Sequence, residues 1–479
     1  MIRVPALRAG KAYYSREVIS LRDYATRAPI AEVGLANAGL ISRDLRRDDW
    51  SALQTLRTAE VLDFFKAAAK HFMEDELPVG DAGQSPQEFV AAQSATTGLP
   101  EGLCRRNMEK IEAAMTHMGE TLDGLTRGLS LDTLDNGFGQ RDDHMISFTP
   151  AARRFGAVLP ANSPGVHALW LPAIALKMPV ALKPGQREPW TPLRILEALI
   201  RAGFPGSGFG FYPAGHDGGT TLLQRCGAGM IFGAGPTVEP WRHRPQIEVH
   251  GPGYSKILLG PDKAQAWESF LDLMVGSVAD NSGRSCVNAS SIRTTSHAKN
   301  LAMAMAERLA TIKPRPRDDA KAQLAAFPDA EIAQAINAAI DQGLAGGGAE
   351  DLTGQFRKSS RLVEFEGASY LLPTVILCES LDHPLANQEY LFPFVSVVES
   401  SADELISGIG ASLVLTALTE DPVLERELLA LGDIGRLNLG PVPTNRIQWD
   451  QPHEGNIFES LFQQRAFQRE PFAAVGAVG

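Results

Sequence analysis

Gly156-Ala157-Val158-Leu159-Pro160-Ala161-Asn162-Ser163-Pro164 is a short apolar run cut off by a proline-rich turn, and the residues after it repeat the same design. Val166, Leu169, Trp170, Ala173 and Ile174 recur at helical spacing and stripe one face. Pro179-Val180-Ala181-Leu182 reads as a second buried strand, Thr191 to Ala202 as a helix, and Phe209-Gly210-Phe211-Tyr212 as a third strand. Thr220 to Cys226 makes a further helix before a fourth strand, Gly229-Met230-Ile231-Phe232. Strands alternating with helices of this length imply right-handed crossovers and a parallel sheet covered on both faces, an α/β fold. Such sheets bind ligands at the carboxyl ends of their strands, which here carry Asn162, Lys183 and Gly233 to Gly235, and a nucleotide is the natural ligand. Gly206, Gly208 and Gly210 look like a dinucleotide fingerprint, but they precede a strand instead of linking strand to helix and are discounted.

Upstream, residues 1 to about 47 give few firm signals. From about Asp48 to Met73 the pattern is helical, with Asp48-Asp49 at the start, where they suit the helix dipole. Residues 74 to 86 read as an acidic surface loop, and about 105 to 127 as a second helical tract. Asp135-Asn136-Gly137 and Gly139, flanked by alternating apolar residues, read as a hairpin or extended arm.

Downstream, a second α/β unit begins at about residue 250. Trp267, Phe270, Leu271, Met274, Val275 and Val278 form one helical face that Asn281 and Gly283 terminate. Cys286 follows at once in a small polar loop before the β-branched run Ser291 to Thr295, so the thiol is delivered between a helix and a strand. By position alone such a cysteine is more often a small buried hydrophobe than a nucleophile, and the surrounding motifs have to decide.

At 479 residues the chain exceeds one ordinary core, and two domains are expected. A net charge of -11 argues against a nucleic-acid surface and favours a small-molecule substrate. The four cysteines form no CxxC pair and no zinc spacing with histidine, so neither a disulfide framework nor a metal site is expected. A reducing compartment fits, and with no apolar leader or membrane-length run the expected location is the cytoplasm.

Taken in order, these motifs resemble the aldehyde dehydrogenase superfamily from about residue 140 to 460. Pro160-Ala161-Asn162-Ser163-Pro164 matches its Pro-x-Asn-x-Pro turn, Lys183-Pro184 its Lys-Pro strand end, and Ala202-Gly203-Phe204-Pro205 its Ala-Gly-x-Pro helix. Asn281 to Cys286 is similar to its Asn-x-Gly-Gln-x-Cys loop with Arg284 in place of Gln, and Tyr370 to Val375 to its aromatic-x-x-Pro-Thr-Val element. The resemblance implies a Rossmann-type nucleotide domain, residues 1–128 and 149–249, and a catalytic domain, 250–435. It also implies an oligomerisation arm, 129–148, a bridging tail, 436–479, and a homodimer or homotetramer.

The implied chemistry is attack of the Cys286 thiolate on an aldehyde, with Asn162 and the cysteine N–H steadying the oxyanion. Hydride then passes to NAD or NADP, and the resulting thioester goes to water or to coenzyme A. Glu248-Val249-His250-Gly251 resembles the family's water-activating Glu-Leu-Gly-Gly, which makes Glu248 the candidate base; the same glutamate also reads as an ordinary strand residue. A CoA-acylating enzyme on this scaffold is the alternative, and an inactive nucleotide-binding relative the second alternative. Arg284, if it points at the thiol, would lower its pKa. The resemblance assigns cofactor contacts to Pro160, Lys183, Gly235 of the Phe232-Gly233-Ala234-Gly235 turn, Glu389 and Leu391, the last two within Glu389-Tyr390-Leu391-Phe392-Pro393. Arg187 beside Lys183 would favour NADP by pairing a 2'-phosphate, whereas Glu188 bonding the ribose hydroxyls would favour NAD; both stay open.

Overall fold

The computed structural model describes residues 1–47, 51–451 and 455–470. Asp48 and Asp49, expected at a helix start, lie outside the described residues, as does the end of the tail from residue 471.

Two seven-stranded sheets carry the fold. In the first, five parallel strands lie in the spatial order Ile247–His250, Gly227–Phe232, Arg154–Val158, Val180–Lys183, Phe209–Phe211. The chain pairs its first strand of this set with the second on one side and the fourth on the other, so a topological switch point falls between Arg154–Val158 and Gly227–Phe232. Every residue of Arg154–Val158 is buried, as a central parallel strand covered on both faces requires. Two N-terminal strands, Ala6–Arg8 and Lys11–Tyr13, extend the Phe209–Phe211 edge antiparallel. The second sheet runs Ala349–Asp351, Thr374–Cys378, Phe394–Glu399, Ser291–Thr294, Lys256–Leu259, Ser412–Leu418, Ile434–Leu439, antiparallel only at Ala349–Asp351.

The helices follow their apolar spacing. Thr58–Glu74 buries Val61, Phe65, Ala68 and Phe72 along one face, and Trp190–Ala202 ends at Gly203, whose φ of 117° only glycine adopts without strain. The stripe read from Trp267 to Val278 is two elements, a 3-10 turn Ala264–Phe270 and the helix Leu271–Ala279.

Three local expectations are corrected. The hairpin does not turn at Asp135-Asn136-Gly137: those residues end a short helix, Asp132–Asn136, while Phe138–Arg141 and His144–Pro150 turn at Asp142 and Asp143, with φ of 48° and 64°. Asp135 is engaged by tertiary partners, accepting from Thr58 Oγ1 and Lys177 Nζ, each at 2.6 Å, which fixes it in the helix. The acidic loop at 74 to 86 contains a hairpin, Leu77–Val79 with Ala82–Gln84. Residues 1 to 47 hold five strands of three to six residues, too short to leave a periodic signal.

The tail strand Phe462–Arg465 pairs antiparallel with His144–Pro150, so arm and tail form one three-stranded sheet. Among the described residues no helix is long and apolar enough to cross a membrane.

Candidate active site

The loop that presents Cys286 begins with three successive left-handed residues, Asn281, Ser282 and Gly283, at φ of 49°, 60° and 65°. For the two non-glycines this conformation costs roughly 1–2 kcal/mol each, so their partners must hold it. Asn281 Oδ1 accepts from Asn107 Nδ2 at 2.9 Å, and its Nδ2 donates to Ser163 Oγ at 3.1 Å. Ser282 Oγ accepts from the Ala325 N–H at 2.8 Å. A Cβ on Gly283 would lie 2.5 Å from Phe392 C and Pro393 N, so only glycine fits. The turn is tied at each residue and fixes where the next three point.

Asn288 closes the far side: its Oδ1 accepts from Ser285 N at 2.9 Å, and its Nδ2 donates to Ser277 O at 3.0 Å. Ser255 Oγ donates to the Cys286 carbonyl at 2.8 Å. With its backbone held, Cys286 stays half-exposed and borders a cavity, whereas Cys104, Cys226 and Cys378 are buried. Burial pushes the Cys226 and Cys378 thiols up to about 12, which leaves them inert.

Asn162 reaches the same loop. Its Nδ2 donates to the Arg284 carbonyl at 2.8 Å, and a carboxamide nitrogen keeps a second N–H. The next residue, Ser163, borders the cavity and shares a hydrogen bond with Ser285 Oγ at 3.1 Å.

Glu248 and His250 alternate on the strand Ile247–His250 and border the same cavity as Cys286. Glu248 Oε1 accepts from Ser460 Oγ at 2.8 Å, and its Oε2 lies 3.8 Å from His250 Nε2. The buried His250 ring stacks on Phe232 at 4.4 Å between centroids. The remaining wall is largely apolar, with Met118, Leu125, Leu169, Val287, Trp449 and Ile457.

Arg284 does not point at the thiol. It is buried, donates through Nη1 to Thr97 O at 2.8 Å and through Nη2 to Ala326 O, and lies over the Phe327 ring at 5.5 Å. Burial lowers its pKa to about 10, leaving it charged at neutral pH and clamping two backbone segments.

A second cavity lies at the carboxyl ends of the first sheet, bordered by Val158, Lys183, His216, Thr237, Trp241 and Arg244 among others. Lys183 ends the strand Val180–Lys183; its ammonium has no hydrogen-bonding or ion-pair partner among the described residues, and its pKa is lowered by burial alone. A Cβ on Gly185 would sit 2.5 Å from the Pro160 carbonyl, so the two turns above these strands pack backbone to backbone.

Of the other expected cofactor residues, the Gly235 turn adjoins the Lys183 cavity through Pro236 and Thr237, whereas Glu389 and Leu391 lie away from it. Gly235 opens a helix of one turn, Gly235–Val238, whose dipole is correspondingly small, so the expected anion-receiving terminus is not built. Glu389 Oε2 accepts from the Tyr254 N–H at 2.6 Å, and the carboxylate also takes the Gly253 N–H. Neither Glu389 nor Leu391 borders the Lys183 cavity; Leu391 is 39% exposed. Arg187 faces Asp329 at 3.8 Å, and Glu188 is fully buried.

Sequence reasoning missed Asn107, Met118, Trp449 and Ser460. Each reaches the site only through tertiary packing, and no local motif marks it.

The sequence profile of the aldehyde dehydrogenase family matches residues 83–409. No curated protein matches the chain. Among solved structures, the fold is similar to the aldehyde dehydrogenase KauB from Pseudomonas aeruginosa, at 17% identity and a TM-score of 0.79 over 98% of this chain and 96% of that one. An indole-3-acetaldehyde dehydrogenase in complex with NAD+ is 18% identical, with a TM-score of 0.76 over 97% and 96%. The NAD+ complex of an aldehyde dehydrogenase from Bacillus cereus is 14% identical, with a TM-score of 0.77 over 97% and 96%.

Proposed function

The chain belongs to the aldehyde dehydrogenase family, and on that premise we propose that it oxidises an apolar aldehyde to the carboxylate with NAD or NADP through a Cys286 thioester. The observation that carries this reading is that the one half-exposed thiol and the Glu248 carboxylate border a single, largely apolar cavity.

Cys286 attacks the aldehyde carbon as thiolate. The second N–H of Asn162 and the Cys286 backbone N–H receive the oxyanion, the arrangement by which such sites stabilise developing charge. The nicotinamide cofactor, when bound, accepts hydride from the adduct. The Lys183 ammonium, without a hydrogen-bonding or ion-pair partner among the described residues and in a cavity that reaches Val158 and Ile231 on the two strands flanking the switch point, fits its adenosine end, with Pro160 and the Gly235 turn beside it; Glu389 and Leu391 are assigned to the nicotinamide side. Glu248, oriented by Ser460, then takes the proton of the water that attacks the acyl carbon, and the Cys286 thiolate leaves.

The largely apolar wall supports a hydrocarbon-rich or aromatic aldehyde; the two cations on it, Lys110 and Arg436, are engaged by Asp280 at 3.3 Å and by the Arg446 carbonyl at 2.9 Å. The three-stranded arm sheet supports a homodimer or homotetramer, and four unpaired cysteines support a cytoplasmic setting.

Single-turnover absorbance of NAD(P)H with an aldehyde panel, with and without coenzyme A, tests the proposal on wild type and Cys286→Ala. A burst followed by steady turnover in water alone, absent in Cys286→Ala, is the expected result. A burst that stalls until coenzyme A is added would instead assign the CoA-acylating reading. No burst with any aldehyde, despite nucleotide binding, would assign an inactive relative.

A further inference from the structure

The cavity at Lys183 is cationic and, among the described residues, has no carboxylate on its wall. Lys183 enters from the end of its strand, His216 from the first turn of the helix His216–Cys226, and Arg244 from the segment after the Glu239–Trp241 turn, where its guanidinium lies 5.2 Å over the Trp241 ring. Thr220, Gln224 and Thr237 add uncharged hydrogen-bonding groups. The acidic residues nearest in sequence are turned away from the wall: Glu239 pairs with Arg242 at 2.7 Å, and Asp217 does not border the cavity.

An unphosphorylated ribose is commonly selected by a carboxylate that accepts from its 2'-hydroxyl, and a 2'-phosphate by a nearby cation. The loop after the Lys183 strand contains one, Glu188, and the fold has used it up. Its Oε1 accepts from Thr191 N at 2.9 Å, Thr191 Oγ1 at 2.7 Å and Gln93 Nε2 at 3.0 Å, and its Oε2 lies 2.9 Å from His167 Nε2. All four contacts are with buried groups, and Glu188 itself is 0% exposed. Lys183, the exposed Arg244 and His216 therefore line the cavity, and no described carboxylate on the wall balances them.

Resting on the nucleotide reading above, we propose that this cavity takes a phosphorylated ribose through Lys183, His216 and Arg244, and that the enzyme selects NADP over NAD. Lys183 supplies a compact ammonium held in place by its buried stem; a Cβ on Gly219 would meet its Cδ at 3.7 Å, so the helix packs directly on it. Arg244 supplies a planar fork that suits a phosphate and stacks on Trp241 while doing so.

The probes are 2',5'-ADP, 3',5'-ADP and 5'-AMP, titrated calorimetrically into the full-length protein. We expect 2',5'-ADP to bind at least about tenfold more tightly than 5'-AMP, and the gap to shrink below about threefold in Arg244→Gln and in Lys183→Gln. Arg244 is exposed, so its variant keeps the fold, which circular dichroism checks. Equal affinity for 2',5'-ADP and 5'-AMP overturns the proposal. Tighter binding of 3',5'-ADP than of 2',5'-ADP also overturns it, and assigns the phosphate to a coenzyme A-type adenosine. Failure of all three to bind, in a folded protein, overturns the nucleotide reading itself.

Discussion

The carbonyl oxygen of Cys286 rests against the α-carbon of Gly253 so closely that a Cβ there would overlap it, and would come within 3.1 Å of Cys286 Cβ. Gly253 thus sets how far the Cys286 loop can settle, and Ser255, two residues on, pins the same carbonyl. Gly253→Ala is expected to displace the loop and lower the burst rate about a hundredfold, because reacting groups tolerate little misplacement. Overpacking would cost about 1–3 kcal/mol in stability. Rapid-quench kinetics and thermal melts check this. A variant with wild-type burst kinetics would show that the loop yields freely at this contact.

Arg284 stands where the family motif has glutamine, and its guanidinium spans the Thr97 and Ala326 carbonyls. Its removal leaves two acceptors without their donor in the interior. Arg284→Met is expected to lose about 2–6 kcal/mol of folding stability, roughly 1–3 kcal/mol for each buried carbonyl left unsatisfied. The pH midpoint of Cys286 alkylation by iodoacetamide should stay within about 0.3 pH unit of wild type, since the cation faces away from the sulfur. A rise of a full pH unit or more in that midpoint would mean that Arg284 acts on the thiol after all.

Ser460 belongs to the tail, yet its hydroxyl fixes the Glu248 carboxylate at 2.8 Å. Glu248→Gln is expected to leave the NAD(P)H burst in place and slow steady-state turnover by about 10²–10⁴-fold, the usual worth of a positioned base. Ser460→Ala should slow the same step about 3–10-fold, the loss of one orienting hydrogen bond. Stopped-flow traces separate burst from steady state. Equal damage to both phases in Glu248→Gln would move Glu248 out of the thioester step.

Which parts of this site can be read from the chain follows from how far apart its contributors lie. The parallel sheet is legible because its strands are unbroken apolar runs separated by helices of regular spacing, and Cys286 and Asn162 are legible because each sits at the end of such an element. Direction is not legible. Arg187 and Glu188 are neighbours, yet one turns outward to Asp329 and the other is swallowed by His167, Gln93 and Thr191, residues brought there only by packing. Trp449 and Ile457 line the Cys286 cavity, and Ser460 reaches its Glu248, from a tail rich in proline, asparagine and glutamine, a composition that gives no periodicity to read. The hairpin turn at Asp142-Asp143 is hidden for a related reason: Asp135-Asn136-Gly137 has turn chemistry, but Thr58 and Lys177 recruit Asp135.

Glu389 gives the site a pH-dependent element. Burial raises its pKa from 4.5 to about 7, against the opposing pull of the Tyr254 and Gly253 N–H groups and of Lys256. Because the folded value lies above the unfolded one, the native state holds the proton more tightly between these values. Stability from this group is therefore fully present below about 4.5 and is lost as pH rises through about 7. Glu389→Gln retains an oxygen to accept from the Tyr254 N–H but cannot ionise. The stability of wild type minus that of Glu389→Gln should fall by up to about 3 kcal/mol between pH about 5 and about 8, because each pH unit separating the folded and unfolded values is worth about 1.4 kcal/mol. Since the carboxylate grips the turn on which Cys286 rests, the burst rate of wild type should vary over the same window and that of Glu389→Gln should not. Urea denaturation and burst kinetics at both pH values check the two halves separately. A stability difference that is flat, or that grows with pH, would place the Glu389 titration outside this window and remove it as a control on the nucleophile loop.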